Sequence, residues 1–232
     1  MTYAVRKHQT ALGVIEERGS EAILADAATA FMLPLIRVQR GDRAAEPGCG
    51  TGVLSICMAL AGAARVTGTD TDPVALSAAR QNAAINRVLN VEFIEGSLLE
   101  PVASPLDLIA ANLPHRPAPR PFNPRYYGGP DGTDLVRALI AQAADKLAPG
   151  GRLVFYLNSI ANPRRVLAAL AERFDVTMLG ERRRDFTREE FDTLTPGLFA
   201  HLEAQRDRGE AEFWRDENGL YFTGRVYEAR LR

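Results

Sequence analysis

The chain has 232 residues, 46% hydrophobic and 25% charged, with 28 basic and 29 acidic side chains giving a net charge of −1. That mixture excludes a disordered chain and fits one compact domain, and the charge balance excludes a global positive field that would draw the chain to nucleic acid or anionic lipid. Cys49 and Cys57 are too few for a disulfide framework and lack metal-ligand spacing, and no window approaches about 18 continuous apolar residues, so a cytoplasmic, metal-free protein without a membrane span is expected.

In chain order, residues 1–40 are expected to form an N-terminal helical segment, with a helix over 21–37 (EAILADAATAFMLPLIR) whose apolar side chains recur at helical spacing. Residues 41–232 then form the main part of a single domain. Short apolar runs alternate there with alanine-rich stretches: RAAEP, ARVTGTD, VEFIEG, DLIAAN and GRLVFYLN as strands, with helices near 51–62, 73–86, 132–147 and 162–173. This alternation is the pattern of repeated β-α units and a parallel sheet. DVTMLGERRR and GLYFTGRVYEARLR add two further strands, the last alternating with period two. The expected fold is α/β, a Rossmann-like, seven-stranded, mostly parallel sheet with helices on both faces and a final antiparallel strand.

Glu46-Pro47-Gly48-Cys49-Gly50-Thr51-Gly52 follows the first of these strands and opens a helix. Glycines at such a turn let backbone approach a ligand closely. Asp70 closes the next strand, roughly twenty residues on, where a carboxylate can accept both hydrogen bonds of a ribose diol. That arrangement suits NAD and S-adenosylmethionine alike. The dinucleotide loop, however, spaces its last two glycines by two residues so that a helix N-terminus holds a pyrophosphate. Here the spacing is G-x-G-x-G and an acid, Glu46, precedes it; a carboxylate suits a cationic ligand end better than a phosphate.

These residues resemble motif I of the class I S-adenosylmethionine-dependent methyltransferases, and TGTDTDP at 67–73 resembles their second motif. The resemblance implies S-adenosyl-L-methionine as cofactor, with Glu46, Gly48, Cys49, Gly50 and Gly52 bordering its methionine and ribose, Asp70 holding the ribose hydroxyls and Thr71 beside the adenine. Ser97 and Leu98, in EGSLLE, stand where many relatives place an acid against the adenine amino group. Asp72, before Pro73, reads as a helix N-cap.

Asn112-Leu113-Pro114-His115 ends the strand DLIAAN, at the edge where open parallel sheets place ligands. It resembles the Asn-Pro-Pro-Tyr signature of methyltransferases acting on amino groups of planar systems, which implies catalytic roles for Asn112, Pro114 and His115 and a cofactor contact for Asn112. In that arrangement the asparagine oxygen and a following backbone carbonyl accept the two N–H bonds of the target. His115 replaces the usual aromatic residue and could stack on the acceptor or accept a proton. Leu113 replaces the usual first proline. The segment 126–157 further resembles the HemK-type glutamine methyltransferases, and LADAATAFM at 24–32 resembles their segment over the cofactor, retaining Thr29.

The acceptor expected is a nitrogen on a small molecule or a protein side chain. An oxygen acceptor with His115 as base and a non-catalytic cofactor-binding scaffold are the alternatives. The proline- and arginine-rich stretch 115–129 reads as a lid over the site, and 191–214 as a cover for the acceptor pocket or a homodimer surface. The run at 181–185 reads as a solvated strand edge rather than a nucleic-acid patch.

Overall fold

A computed structural model describes residues 4–20 and 24–232. Two compact units emerge within the length expected for one domain. The first runs to Asn112 and adds Gln142–Phe155 and Arg230–Arg232; the second comprises Leu113–Ala141 and Tyr156–Ala229.

In the first unit, strands β1 (Ala4–Thr10) and β2 (Gly13–Gly19) pair antiparallel, and α1 (Ala27–Met32) follows, continued by a 3-10 turn at Leu33–Leu35. The helical segment expected over residues 1–40 is thus corrected to a hairpin followed by one short helix. The inward positions of the hairpin carry His8, Ile15 and Glu17, so two polar residues mask the period-two pattern that betrays a strand. The helix expected over 21–37 begins only where Asp26 caps it and gives way at Leu33 to the turn holding Pro34; residues 21–23 lie outside the described residues.

The alternating elements fall close to expectation. They are β3 (Arg43–Pro47), α2 (Val53–Leu60), β4 (Arg65–Asp70), α3 (Pro73–Ile85), β5 (Val91–Glu95), β6 (Leu106–Ala111), α4 (Asp134–Lys146) and β7 (Leu147–Asn158). Strand order in the first unit is β5-β4-β3-β6-β7, all neighbours parallel. Leu108, Ile109, Ala110, Leu153 and Val154 are fully buried, as a sheet buried on both faces requires. A buried ion pair, Arg152 Nη2 to Asp42 Oδ2 at 2.7 Å, ties β7 to the turn before β3.

The chain continues through α5 (Pro163–Ala171), β8 (Phe174–Phe186), α6 (Arg188–Leu194), α7 (Leu198–Asp207), β9 (Trp214–Asp216) and β10 (Gly219–Leu231). In the second unit the order is β7-β10-β8, with β9 antiparallel on β10. Ser159 N donates to Thr223 O, and Arg230 donates to Gly150 O, so β10 runs back along β7. The sheet is therefore mostly parallel with an antiparallel edge, as expected. The second unit's core is aromatic: Phe186, Phe191, Phe199, Phe213 and Phe222 cluster with Leu198, Leu202 and Ala118.

Candidate functional site

The glycine loop turns sharply between β3 and α2. Gly48, Gly50 and Gly52 all have positive φ, at 67°, 52° and 81°, a region costly for any residue with a Cβ. At Gly52 the space is also taken: a Cβ would lie 2.8 Å from Phe93 Cζ. The loop is anchored by Cys49 N donating to Thr69 O at 2.8 Å, and by Gly50 N donating to Asp70 Oδ2 at 2.8 Å. Asp70 Oδ1 accepts from Asp72 N at 3.0 Å, so two backbone amides orient the carboxylate at the end of β4. Asp72 caps α3 through Val74 N at 2.8 Å, as the Asp-Pro pair implied.

Glu46 lies beneath the loop, buried, with one oxygen accepting from Ser55 N at 2.6 Å and Ser55 Oγ at 2.5 Å. Burial pushes its carboxyl up to about 8, with the nearby Asp70 adding to the rise and the Ser55 hydrogen bonds opposing it. Cys49 is buried and burial drives its thiol far above the usual range. Thr71 is exposed just past Asp70. Ser97 is exposed and Leu98 buried on the loop after β5; Leu98 has φ 48°, its carbonyl accepting from Thr69 Oγ1 at 2.5 Å, and Gly96 N donates to Asp70 O. The structure thus gathers the glycine loop, Asp70, Thr71, Ser97 and Leu98 around the carboxyl ends of β3, β4 and β5.

Asn112 follows β6 and meets α1. Its Nδ2 donates to Asp26 Oδ1 and to Thr29 Oγ1, each at 3.0 Å. A carboxylate only accepts, so the nitrogen must face Asp26 and the side-chain oxygen is turned the other way. Asp26 also caps α1 through Ala28 N and Thr29 N, both at 2.9 Å. Thr29 was legible as a retained position, whereas Asp26 was not singled out in the sequence; an N-cap aspartate three residues before Thr29 is the signal that could have marked it.

A second connection was also invisible in the sequence. Glu17 is fully buried and accepts from Ala25 N at 2.7 Å and from Thr51 Oγ1 of the glycine loop, while its other oxygen meets His8 Nε2 at 2.8 Å. Burial works to raise the Glu17 carboxyl, but the hydrogen bonds from His8, Thr51 and Ala25 together hold it below the usual range. Asn82 of α3 adds a staple, donating to Thr51 O and Arg18 O and accepting from Arg18 N. The hairpin is thereby fastened to the loop.

In the second unit, His115 is buried, with Nδ1 2.6 Å from Leu113 O and the ring 5.6 Å from that of Tyr156. Pro114 lies between them, half-buried. The stretch 115–129 expected as a lid is pinned in this unit: Ala118 joins the aromatic core, and Arg116 stacks over Tyr126 and Phe191. Phe199 and Leu202 of the 191–214 stretch are likewise spent on that core. At the arginine run, Arg183 pairs with Asp185 and Asp216 and Arg184 with Glu190, a neutralised strand edge as expected.

A family model described as the methyltransferase small domain matches residues 20–187. The chain belongs to that family. Among small-domain methyltransferases it is 40% identical over 169 residues to the release factor glutamine methyltransferase of Deinococcus radiodurans, spanning 68% of this chain and 59% of that one. It is 31% identical over 131 residues to a protein named as an N5-glutamine methyltransferase in Methanocaldococcus jannaschii, covering 54% of this chain and 66% of the relative. These two relatives bear out the resemblance to HemK-type enzymes, while the chain spans less than two thirds of either. Among solved structures, a T. thermophilus 16S rRNA N2 G1207 methyltransferase in complex with AdoMet and guanosine superposes with a TM-score of 0.65 at 16% identity, covering 100% of this chain and 51% of that one. A ribosomal protein L11 methylase from Lactobacillus delbrueckii subsp. bulgaricus gives a TM-score of 0.54 at 20% identity, covering 88% and 77%. The fold is the Rossmann-like fold of the class I methyltransferases.

Proposed function

We propose that the chain transfers a methyl group from S-adenosylmethionine to a nitrogen held in a planar group, such as an amide of a protein side chain or small molecule. The observation that carries this reading is the orientation of Asn112. With its nitrogen committed to Asp26 and Thr29, the side chain offers an acceptor oxygen at the end of β6, the group an N–H-bearing substrate needs. The next residue, Leu113, contributes a backbone carbonyl for the second N–H. Methyl transfer to such a nitrogen is limited by its delocalised lone pair, since the sulfonium is already a good leaving group; two fixed acceptors aim that lone pair, and orientation of this kind can supply effective molarities on the order of 10⁵ M.

The residues present fit the cofactor. Asp70, oriented by two amides, would take the ribose hydroxyls, and the glycine loop, bare of side chains at three positive-φ positions, would admit the methionine part. Thr71, Ser97 and Leu98 would border the adenine. Glu46, beneath the loop and bonded to Ser55 N and Oγ, would support the loop from below. Among the described residues of the N-terminal segment, the β1–β2 hairpin covers the cofactor site, a role supported by the Glu17–Thr51 bond and by Asn82, which joins Thr51 to Arg18. The free thiols Cys49 and Cys57 fit a reducing cytoplasm, and among the described residues no helix is long and apolar enough to cross a membrane.

The test is calorimetric titration with S-adenosylhomocysteine, followed by transfer of labelled methyl from S-adenosylmethionine to a peptide containing a single glutamine. Asp70→Ala should weaken binding roughly ten- to hundredfold, the loss of charge-assisted hydrogen bonds. Asn112→Ala should bind normally and lose turnover. No binding, or preference for NAD, overturns the cofactor; turnover unaffected in Asn112→Ala overturns the acceptor geometry.

A further inference from the structure

We propose that His115 is a positioning residue that fixes the Leu113 carbonyl by donating a hydrogen bond to it, supplying from a side chain the rigidity that a proline at 113 would supply from the backbone. The inference rests on the nitrogen-acceptor reading above, which makes that carbonyl one of the two groups aiming the substrate.

The geometry begins with the chain itself. Pro114 confines the ψ of Leu113 to the extended range, because a helical ψ would drive the proline ring into the preceding residue. The φ of Leu113 carries no such restraint, so the peptide plane on which its carbonyl lies can still rock. His115 acts two residues on: its Nδ1 is 2.6 Å from Leu113 O. A carbonyl oxygen only accepts, so Nδ1 bears the proton, and the neutral ring is the Nδ1–H tautomer.

The ring that makes this bond is itself held. It is only 7% exposed and packs on Tyr156, centroids 5.6 Å apart and planes inclined by 56°. Its backbone is hemmed by two glycines: a Cβ on Gly128 would come within 2.5 Å of His115 Cα, and one on Gly132 within 2.5 Å of His115 O. Arg116 N donates to Tyr126 O and Gly128 N to Arg116 O, fixing the next residue. A donor held this firmly restricts the carbonyl, and a misplacement of about 1 Å at a reacting geometry can cost roughly a hundredfold in rate. His115 is thereby a support rather than a stacking surface.

The spectroscopic arm needs no substrate. With three histidines in the chain, the ring ¹⁵N signals of His115 are assigned as those missing from His115→Phe. At pH 8 the wild-type ring should be the Nδ1–H tautomer, and the ¹³C shift of the Leu113 carbonyl, read in Leu/Pro-labelled protein, should move in His115→Phe. An Nε2–H tautomer or an unmoved carbonyl overturns the clamp, whether or not the protein turns over any acceptor. The kinetic arm uses the single-glutamine peptide. His115→Phe should keep its affinity for S-adenosylhomocysteine and its KM for S-adenosylmethionine within about twofold while kcat falls roughly ten- to hundredfold. Adding Leu113→Pro to His115→Phe should restore most of kcat, since the proline takes over the restraint. Unchanged kcat in His115→Phe, or no recovery in the double variant, overturns the proposal, whereas loss of S-adenosylhomocysteine binding in the wild type would instead sink the cofactor reading and leave the tautomer result standing.

Discussion

At the scale of single residues, the positions most open to reading were those in which backbone and side chain cooperate locally. Gly48, Gly50, Gly52 and Asp70 follow from a strand-turn-helix pattern and a spacing, and the structure joins them directly through the Gly50–Asp70 hydrogen bond. Glu17 was closed to such reading because its partners, Thr51 and His8, are set by tertiary contact rather than by spacing; Asp26 carries a local N-cap signal, but its bond to Asn112 is set by tertiary contact as well. Glu46 yields a pH prediction. Its carboxyl titrates near 8 in the fold against an ordinary 4.5, so the folded state holds the extra proton between those values. Its contribution to stability is therefore fully present below pH 4.5 and lost as pH rises through 8. Glu46→Gln cannot lose that proton, and thermal unfolding across this range should show a flatter pH dependence than the parent. An identical slope would mean that the burial of Glu46 is relieved by some other group.

At the scale of elements, the βα repeats of 43–171 were legible to within a few residues because parallel strands read as apolar runs and the helices between them carry clear stops. The β1–β2 hairpin was not, since on its inward face Ile15 is flanked by the polar His8 and Glu17. The glycine loop separates two causes of strain that the sequence cannot tell apart. Gly50→Ala meets nothing within 4 Å and suffers only the left-handed backbone, whereas Gly52→Ala adds a Cβ 2.8 Å from Phe93. Urea denaturation should show a loss of about 1–2 kcal/mol for the first and about 2–5 kcal/mol for the second, with unchanged m-values. Equal losses would mean that Phe93 yields without cost.

At the scale of the whole molecule, composition spoke correctly about what the chain could bury but not about its division into two compact units, because a count of apolar residues carries no information on where the contacts cluster. The charge balance carries further. Arginines of the run and beyond it are paired with acids: Arg183 with Asp216, Arg184 with Glu190, Arg188 with Glu203, Arg208 with Glu210 and Arg225 with Glu181 and Glu212. With 28 basic and 29 acidic groups, fluorescence anisotropy with labelled RNA at about 0.15 M salt should show no saturable binding. Tight binding with a steep salt slope would redirect the search for an acceptor to nucleobases.

The two buried thiols also give the first unit a way to report its own openings in time. Burial and the neighbouring acids Glu46 and Asp70 suppress the Cys49 thiolate, and burial with Glu46 pushes the Cys57 thiol up to about 11, so an alkylating reagent at neutral pH waits for the chain around each sulfur to part. Peptide-resolved mass spectrometry would then clock the glycine loop at Cys49 separately from α2 at Cys57. A ligand seated on the loop should lengthen the wait at Cys49 far more than at Cys57; equal slowing would mean that loop and helix open as one piece.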